Sequence, residues 1–316
     1  MSSIEFQNVS KTFARRKAVD SVTFKIESGE IFGLVGPNGA GKTTTMRMLV
    51  TLLQPDQGEI FVGGHSVIKT PHEVRRLIGF MPDSFGVYDD MTVNEYLEFF
   101  AACYRIPKPQ RAGLIKDLLE LVDLSHRHND MVDTLSTGLK QRLGLARVLI
   151  HDPSILILDE PASGLDPRAR VEIRELLLEV ARLGKTILFS SHILADVAEL
   201  CTRVGIMENG KLATVGSLSQ LSQKLIPHRQ IKVAILDKAE EAQAFLSMQQ
   251  NVAAVRLQTG NNSSRIHFEL DFNGEDNDLH ELLNRLLENK FSVVHFSEET
   301  QKLEEVFMRT TKGIIS

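Results

Sequence analysis

The sequence predicts an α/β protein with a largely parallel sheet, followed by a small α+β domain. Three observations carry this expectation. The 316 residues are enough for two domains at about 150 residues each. Over residues 1 to about 215, short Val/Ile/Leu-rich runs alternate with amphipathic helical stretches, the pattern of a parallel sheet with covering helices. Beyond that stretch the order of periods becomes strand, helix, strand, strand, helix, strand.

In the first part, the clearest strands are Glu30–Val35, Ile155–Leu158 and Thr186–Ser190. Each is a continuous apolar run, as expected where both faces of a sheet are covered. Between them, Met91 to Tyr104 and Arg111 to Leu124 read as helices, the second with Leu114, Leu118 and Leu121 on one face. Pro107 and Pro109 separate the two. A Ser/Gln-rich stretch from Gly216 to Pro227 reads as a linker. After it come strand Ile231–Leu236, helix Ala239–Gln250, strands Ala253–Gln258 and Ile266–Phe272, helix Leu279–Leu287 and strand Phe291–Phe296. Ile266, Phe268, Leu270 and Phe272 alternate at period two, while Leu279, Leu282, Leu283, Leu286 and Leu287 fall at helical spacing. This βαββαβ order resembles a ferredoxin-like split βαβ unit. A last helix is expected over Thr300 to Arg309 with Leu303, Val306 and Phe307 inward.

Composition removes several classes of function. Hydrophobic residues make up 42% and charged residues 24%, which is ordinary for a globular chain and leaves ample core material. No run approaches the ~18 apolar residues of a membrane span. The start, MSSIEFQNVSK, has no apolar segment behind a basic one, so no secretion signal is expected and residence in the cytoplasm is. Cys103 and Cys201 lie far apart without a CxxC, so neither a disulfide framework nor a zinc site is indicated, and both are expected to be buried thiols. A net charge of −5 argues against a general nucleic-acid binder, which needs a clustered basic surface.

The most informative stretch is Gly36-Pro37-Asn38-Gly39-Ala40-Gly41-Lys42-Thr43-Thr44, which fits GxxxxGK[ST] between a predicted strand and a predicted helix. Glycines let the backbone wrap a phosphate with its N–H groups, and the helix N-terminus adds a favourable dipole. Lys42 then reaches the β and γ phosphates, and the Thr43 hydroxyl can ligate Mg²⁺. The run Ile155–Leu158 ends in Asp159-Glu160, the Walker B arrangement, in which Asp159 would hold Mg²⁺ through water and Glu160 would act as general base. Alternate strand residues point to opposite sides, so two adjacent acids need not share a site.

With Leu135-Ser136-Thr137-Gly138-Leu139-Lys140-Gln141-Arg142, then Ser163-Gly164-Leu165-Asp166 and Ser190-Ser191-His192 following in order, residues 1 to about 215 resemble the nucleotide-binding subunit of an ATP-binding cassette (ABC) transporter. The fold this resemblance implies is a P-loop NTPase cassette with a mostly parallel sheet and a helical subdomain over residues 1–216. The small α+β domain over 228–316 would be an accessory. The resemblance further implies ATP and Mg²⁺ as cofactors and a head-to-tail dimer, most simply with a second copy. ATP would be held between the phosphate loop of one subunit and Ser136 and Gly138 of the other. Asp166 would communicate across that interface, and His192 would contact the γ-phosphate and hold the catalytic water with Glu160. Phe13 matches the aromatic that stacks on adenine; its plainer alternative is a strand-edge Phe of the core. The implied partner is a membrane permease, which would place the chain on the inner face of the cell membrane and make it the ATP-hydrolysing subunit of an exporter.

Three positions depart from the family pattern. Asp83, in Ile78-Gly79-Phe80-Met81-Pro82-Asp83, stands where a Gln usually faces Mg²⁺ and the lytic water. Thr137 stands where Gly is usual, and Leu139 where Gln is usual. A Cβ at Thr137 narrows the backbone's choices, but Ser136 and Gly138 remain. Hydrolysis is expected, and whether these departures slow it is left open. The loop after Asp83, with Phe85, Tyr88 and Met91, suits either a contact with a membrane partner or packing of the helical subdomain. The tail around Glu304-Glu305-Val306-Phe307 resembles the C-terminal extension of bacterial efflux-type cassettes. Two rival functions stay open: a soluble cassette ATPase of the ribosome or DNA, and an ATP-gated regulator with little turnover.

Overall fold

A computed structural model describes residues 2–14, 16–84, 86, 90–217, 220–221, 229–258 and 265–299. The expected helix over Thr300–Arg309, most of the Gly216–Pro227 linker, and Phe85 and Tyr88 lie outside the described residues. The chain divides into two compact units, Met1–Leu218 and Ser219–Ser316.

The first unit opens with two 12-residue strands, β1 (Ser2–Phe13) and β2 (Arg16–Glu27), paired antiparallel. With β4 (Gln57–Val62) and β5 (His65–Ser66) they form a sheet in the order β2-β1-β4-β5. A second sheet holds β3 (Ile31–Val35), β6 (Ile78–Met81), β7 (Ile155–Leu158), β8 (Thr186–Ser191), β9 (Arg203–Glu208) and β10 (Lys211–Gly216) in the order β10-β9-β3-β8-β7-β6. All its pairings are parallel except β9 with β10. The three apolar runs singled out in the sequence are its central strands, and every residue of β3, β7 and β8 is buried, as two-sided cover demands. The two sheets share one core. Phe6 stacks on Phe24 at 4.5 Å and Phe24 on Phe32 at 5.3 Å between ring centroids, joining β1 and β2 to β3.

Helices α1 (Lys42–Leu49), α2 (Pro71–Leu77), α6 (Pro167–Arg182) and α7 (Leu194–Leu200) accompany these strands. Helices α3 (Val93–Cys103), α4 (Lys108–Leu121) and α5 (Thr137–Leu149) pack on one another. Thr92 and Glu95 cap α3 reciprocally, which fixes its start. Two expectations need correction here. Helix α4 begins at Lys108, so Pro109 sits in its first turn rather than outside it; proline is tolerated there because that N–H has no intrahelical partner. Its buried face is Ile115, Leu118 and Leu119, not Leu114, Leu118 and Leu121. Cys103, at the end of α3, is exposed rather than buried. Cys201 is partly buried, with its thiol against β3 at Gly33, and burial pushes that thiol's pKa well up.

The second unit contains β11 (Arg229–Ile235), α8 (Ala239–Ser247), β12 (Val252–Gln258), β13 (Ile266–Phe272), α9 (Asp276–Glu288) and β14 (Val293–Glu299). The sheet order is β12-β13-β11-β14, antiparallel throughout. Each helix therefore connects two strands with one strand between them, which is the split βαβ arrangement. Phe268, Leu270 and Phe272 alternate into a core with Ala242, Leu246, Leu282 and Leu286. Leu287, grouped with the helical set by spacing, is instead exposed.

Candidate functional site

At the end of β3 the chain leaves the sheet through Gly36 and re-enters regular structure at Lys42. Both flanking glycines are required. A Cβ on Gly36 would lie 2.3 Å from the Met207 carbonyl oxygen, and one on Gly41 2.5 Å from that of Ala18; Gly41 also adopts φ +107° as the N-cap of α1. The loop curls round the Lys42 ammonium, which donates to the carbonyls of Gly36 at 2.7 Å and Pro37 at 3.3 Å. Lys42 is buried, and its Nζ lies 3.5 Å from Glu160 Oε1.

That carboxylate comes from the end of β7. Glu160 has φ +52°, a left-handed conformation that costs about 1 kcal/mol or more outside glycine. The alternation rule therefore lapses after Leu158. Ser190 at the end of β8 ties the two acids: its Oγ donates to Asp159 Oδ1 at 2.6 Å and accepts from the Glu160 N–H at 3.0 Å. Asp159 is buried, and its other oxygen, Oδ2, is buried with no hydrogen-bond partner among the described residues. An orphaned carboxylate oxygen beside a phosphate loop is the group a hydrated cation would satisfy. His192 Nδ1 stands 2.7 Å from Glu160 Oε2, so one carboxylate faces Lys42 with one oxygen and the imidazole with the other.

These groups open on a cleft of about 550 Å³. Its lining includes Asn38, Gly39, Ala40, Gly41, Lys42, Thr43 and Thr44 of the loop, with Glu160, His192, Asp83 and Phe13. Phe13 is 48% exposed, so it is a cleft wall and not a core side chain. Asp83 lines the same cleft as Lys42 and Thr43, with its Oδ1 accepting the Ser84 N–H at 2.9 Å. Four further residues were not singled out from the sequence for these places: Arg16, Ala18 and Ser163 on the cleft wall, and Ser190 behind the acids. Arg16 carried a readable signal, a cation three residues past Phe13 on the same hairpin. Ser190 carried none beyond its place in Ser190-Ser191-His192.

The remaining residues gather elsewhere. Ser136, Gly138 and Asp166 line a second concavity of about 440 Å³, which shares no lining residue with the first. Ser136 caps α5, its Oγ accepting from the Leu139 N–H at 3.4 Å, and Asp166 caps α6, accepting from Ala169 at 2.9 Å. A Cβ on Gly138 would touch Ala169 Cβ at 3.4 Å, so the two helix starts lie side by side. Thr137 is the first residue of α5 and takes no left-handed conformation, so its Cβ asks nothing of the turn. The exposed helix N-terminus that results is a place for an anion, and Lys42 is not among the residues that line it.

Known proteins resemble this chain in sequence and in fold. The family model for the ABC transporter matches residues 19–163. An uncharacterized ABC transporter ATP-binding protein, YxlF of Bacillus subtilis (strain 168), is 35% identical over 97% of this chain and 98% of its own length. The Nod factor export ATP-binding protein I of Burkholderia lata is 39% identical over 68% of this chain and 70% of its own. Among solved structures, the dimeric post-hydrolysis state of the ATP-binding cassette MJ0796 bound to ADP and Pi is 25% identical, with a TM-score of 0.62 over 68% of this chain and 98% of that one.

Proposed function

Since the chain belongs to the ABC transporter family as an ATP-binding subunit and an ATPase, we propose that it energises export through a separate membrane permease. Two copies would close head to tail on ATP, bringing the Lys42 cleft of one against the Ser136 surface of the other. The observation that carries this reading is the separation of the two half-sites on one chain. Each is incomplete, and a second copy in reversed orientation completes both. Among the described residues no helix is long and apolar enough to cross a membrane, so the translocation path would come from the partner. The similarity to a Nod factor export protein supports the direction.

In this reading Phe13 offers its open face to the adenine. The loop N–H groups of Asn38 to Thr44 and the Lys42 ammonium hold the phosphate oxygens. Thr43 and Asp159 would hold Mg²⁺, with Asp83 close by; the donor set is hard oxygen throughout, which fits that cation. When bound, Mg²⁺ would supply neutralisation of charge on the β and γ oxygens. Glu160 takes the proton of the attacking water, and His192 keeps the carboxylate aimed at it. Phosphate oxygens compete with Glu160 for Lys42, so ligand entry frees the base from its 3.5 Å ion pair. Ser136, the Gly138 N–H and Asp166 would close the site from the second copy. Nucleotide work falls to residues 1–216 and the accessory role to 228–316.

The test is to purify tagged protein from membranes in mild detergent and measure ATPase rate on the same sample. A polytopic membrane protein should co-purify, with turnover. Ribosomes or nucleic acid in its place would remove the transport reading while leaving the ATPase intact.

A further inference from the structure

His192 is 47% exposed, so packing does not hold its ring in place. Its position follows from Glu160 on one side and from helix α7, which begins two residues later at Leu194, on the other. Helix α7 is only seven residues long and buries just Val197 and Leu200. Such a short helix is marginal by itself and depends on tertiary ties.

The ties come from α6. Arg174 forms an ion pair with Glu199 of α7. One turn earlier, Arg170 has a buried Nε, and Asp196 of α7 a buried Oδ2, each without a hydrogen-bond partner among the described residues. Asp196 is surrounded by charge: Arg170 and Arg174 from α6, Glu199 on its own helix, and His192 ahead of it. Burial raises the pKa of its carboxyl, and the two arginines work against that rise. An isolated exposed ion pair is worth little, but Arg170, Arg174, Asp196 and Glu199 sit close together on two packed helices, three of them partly buried, so their fields act jointly. The same α6 starts at the Asp166 cap, on the surface that lies apart from the Lys42 cleft.

We propose that Arg170 and Arg174 are positioning residues for hydrolysis: through Asp196 and Glu199 they hold α7 in the register that presents His192 to Glu160. This inference rests on the assignment of Glu160 and His192 to the chemistry. Neither arginine lines the Lys42 cleft, and both act only on where the imidazole stands. Because their helix is capped by Asp166, a movement of that cap against a second copy reaches His192 along a rigid rod that runs about one turn from the cap to Arg170 and just over two turns to Arg174.

The experiment is charge reversal with steady-state kinetics on the protein with its membrane partner. Arg174→Glu and Glu199→Arg should each lower kcat by about tenfold, the upper range of coupling through such networks, with KM for ATP within about twofold. The double reversal should restore most of the loss, because opposite charges again face each other. Glu199→Gln, which keeps the shape, should lose kcat like Glu199→Arg, guarding against a folding artefact. Wild-type kcat in all single variants, absence of rescue in the double, or a loss confined to KM would each overturn the proposal. Glu160→Gln run alongside separates the two levels. If that variant keeps its turnover, the assignment of the base has failed. If it is dead while the reversals are silent, only the tie has failed.

Discussion

Glu160→Gln should lower ATP turnover by about two to four orders of magnitude, the usual worth of a general base, while ATP binding stays close to wild type. The amide keeps the size of the side chain but cannot accept the water's proton. It also ends the ion pair with Lys42 at 3.5 Å, which leaves the ammonium freer for phosphate, so affinity is expected to hold or rise. With closure intact and turnover blocked, the dimer should accumulate in the presence of ATP and Mg²⁺. Turnover is followed by phosphate release, binding by a fluorescent ATP analogue, and assembly by size-exclusion chromatography. Normal phosphate release in this variant would remove Glu160 as the base. The neighbouring His192, 2.7 Å away, would then be the next group to examine.

Lys42→Ala should have the larger effect on binding. The ammonium is buried, donates to two loop carbonyls and faces Glu160. Its removal takes away the cation round which the loop curls and leaves a carboxylate facing the position of the γ-phosphate. Charge-assisted contacts of this kind are worth about 2–4 kcal/mol, so a loss of roughly two to three orders of magnitude in kcat/KM is expected. Thermal melting without nucleotide should change little, since Glu160 keeps its His192 partner and opens on the cleft. The stabilisation that ATP gives to the wild type should disappear. An unaltered ATP-induced shift in melting temperature would contradict the role given to Lys42.

The chemistry of this chain was more legible in its sequence than its geometry. Gly36 to Thr44 could be read because its key positions exclude alternatives: Gly36 and Gly41 have no room for a Cβ, and a long cation at position 42 reaches the loop's centre. The strands β3, β7 and β8 were equally plain, since burial on both faces writes an uninterrupted apolar run. The hairpin of β1 and β2 was not singled out. Its strands are half polar, and bulges at several points break the period-two signal. On α4 the helical period was right but its phase was not, because Leu114 and Leu121 compete with Ile115 and Leu119 for the same stripe. Whether Asp159 and Glu160 could share a site depended on one backbone angle at Glu160 and on Ser190 from another strand. Neither is visible in a linear pattern. The split of the site residues between two concavities was foreseen only through family resemblance, since spacing along a chain says nothing about which surfaces must meet a second copy.

The central claim is that each ATP site is built from two copies of this chain, and mixing two inactive variants tests it most directly. Lys42→Ala damages one half-site and Ser136→Arg the other. A mixed dimer that closes head to tail keeps one intact pair, the Lys42 cleft of the Ser136→Arg copy against the Ser136 surface of the Lys42→Ala copy. The account predicts that ATPase activity, absent from either variant alone, returns on mixing in proportion to the mixed dimer. If the mixture stays as inactive as its components while mixed dimers form, the two half-sites do not meet across the interface and the account is wrong.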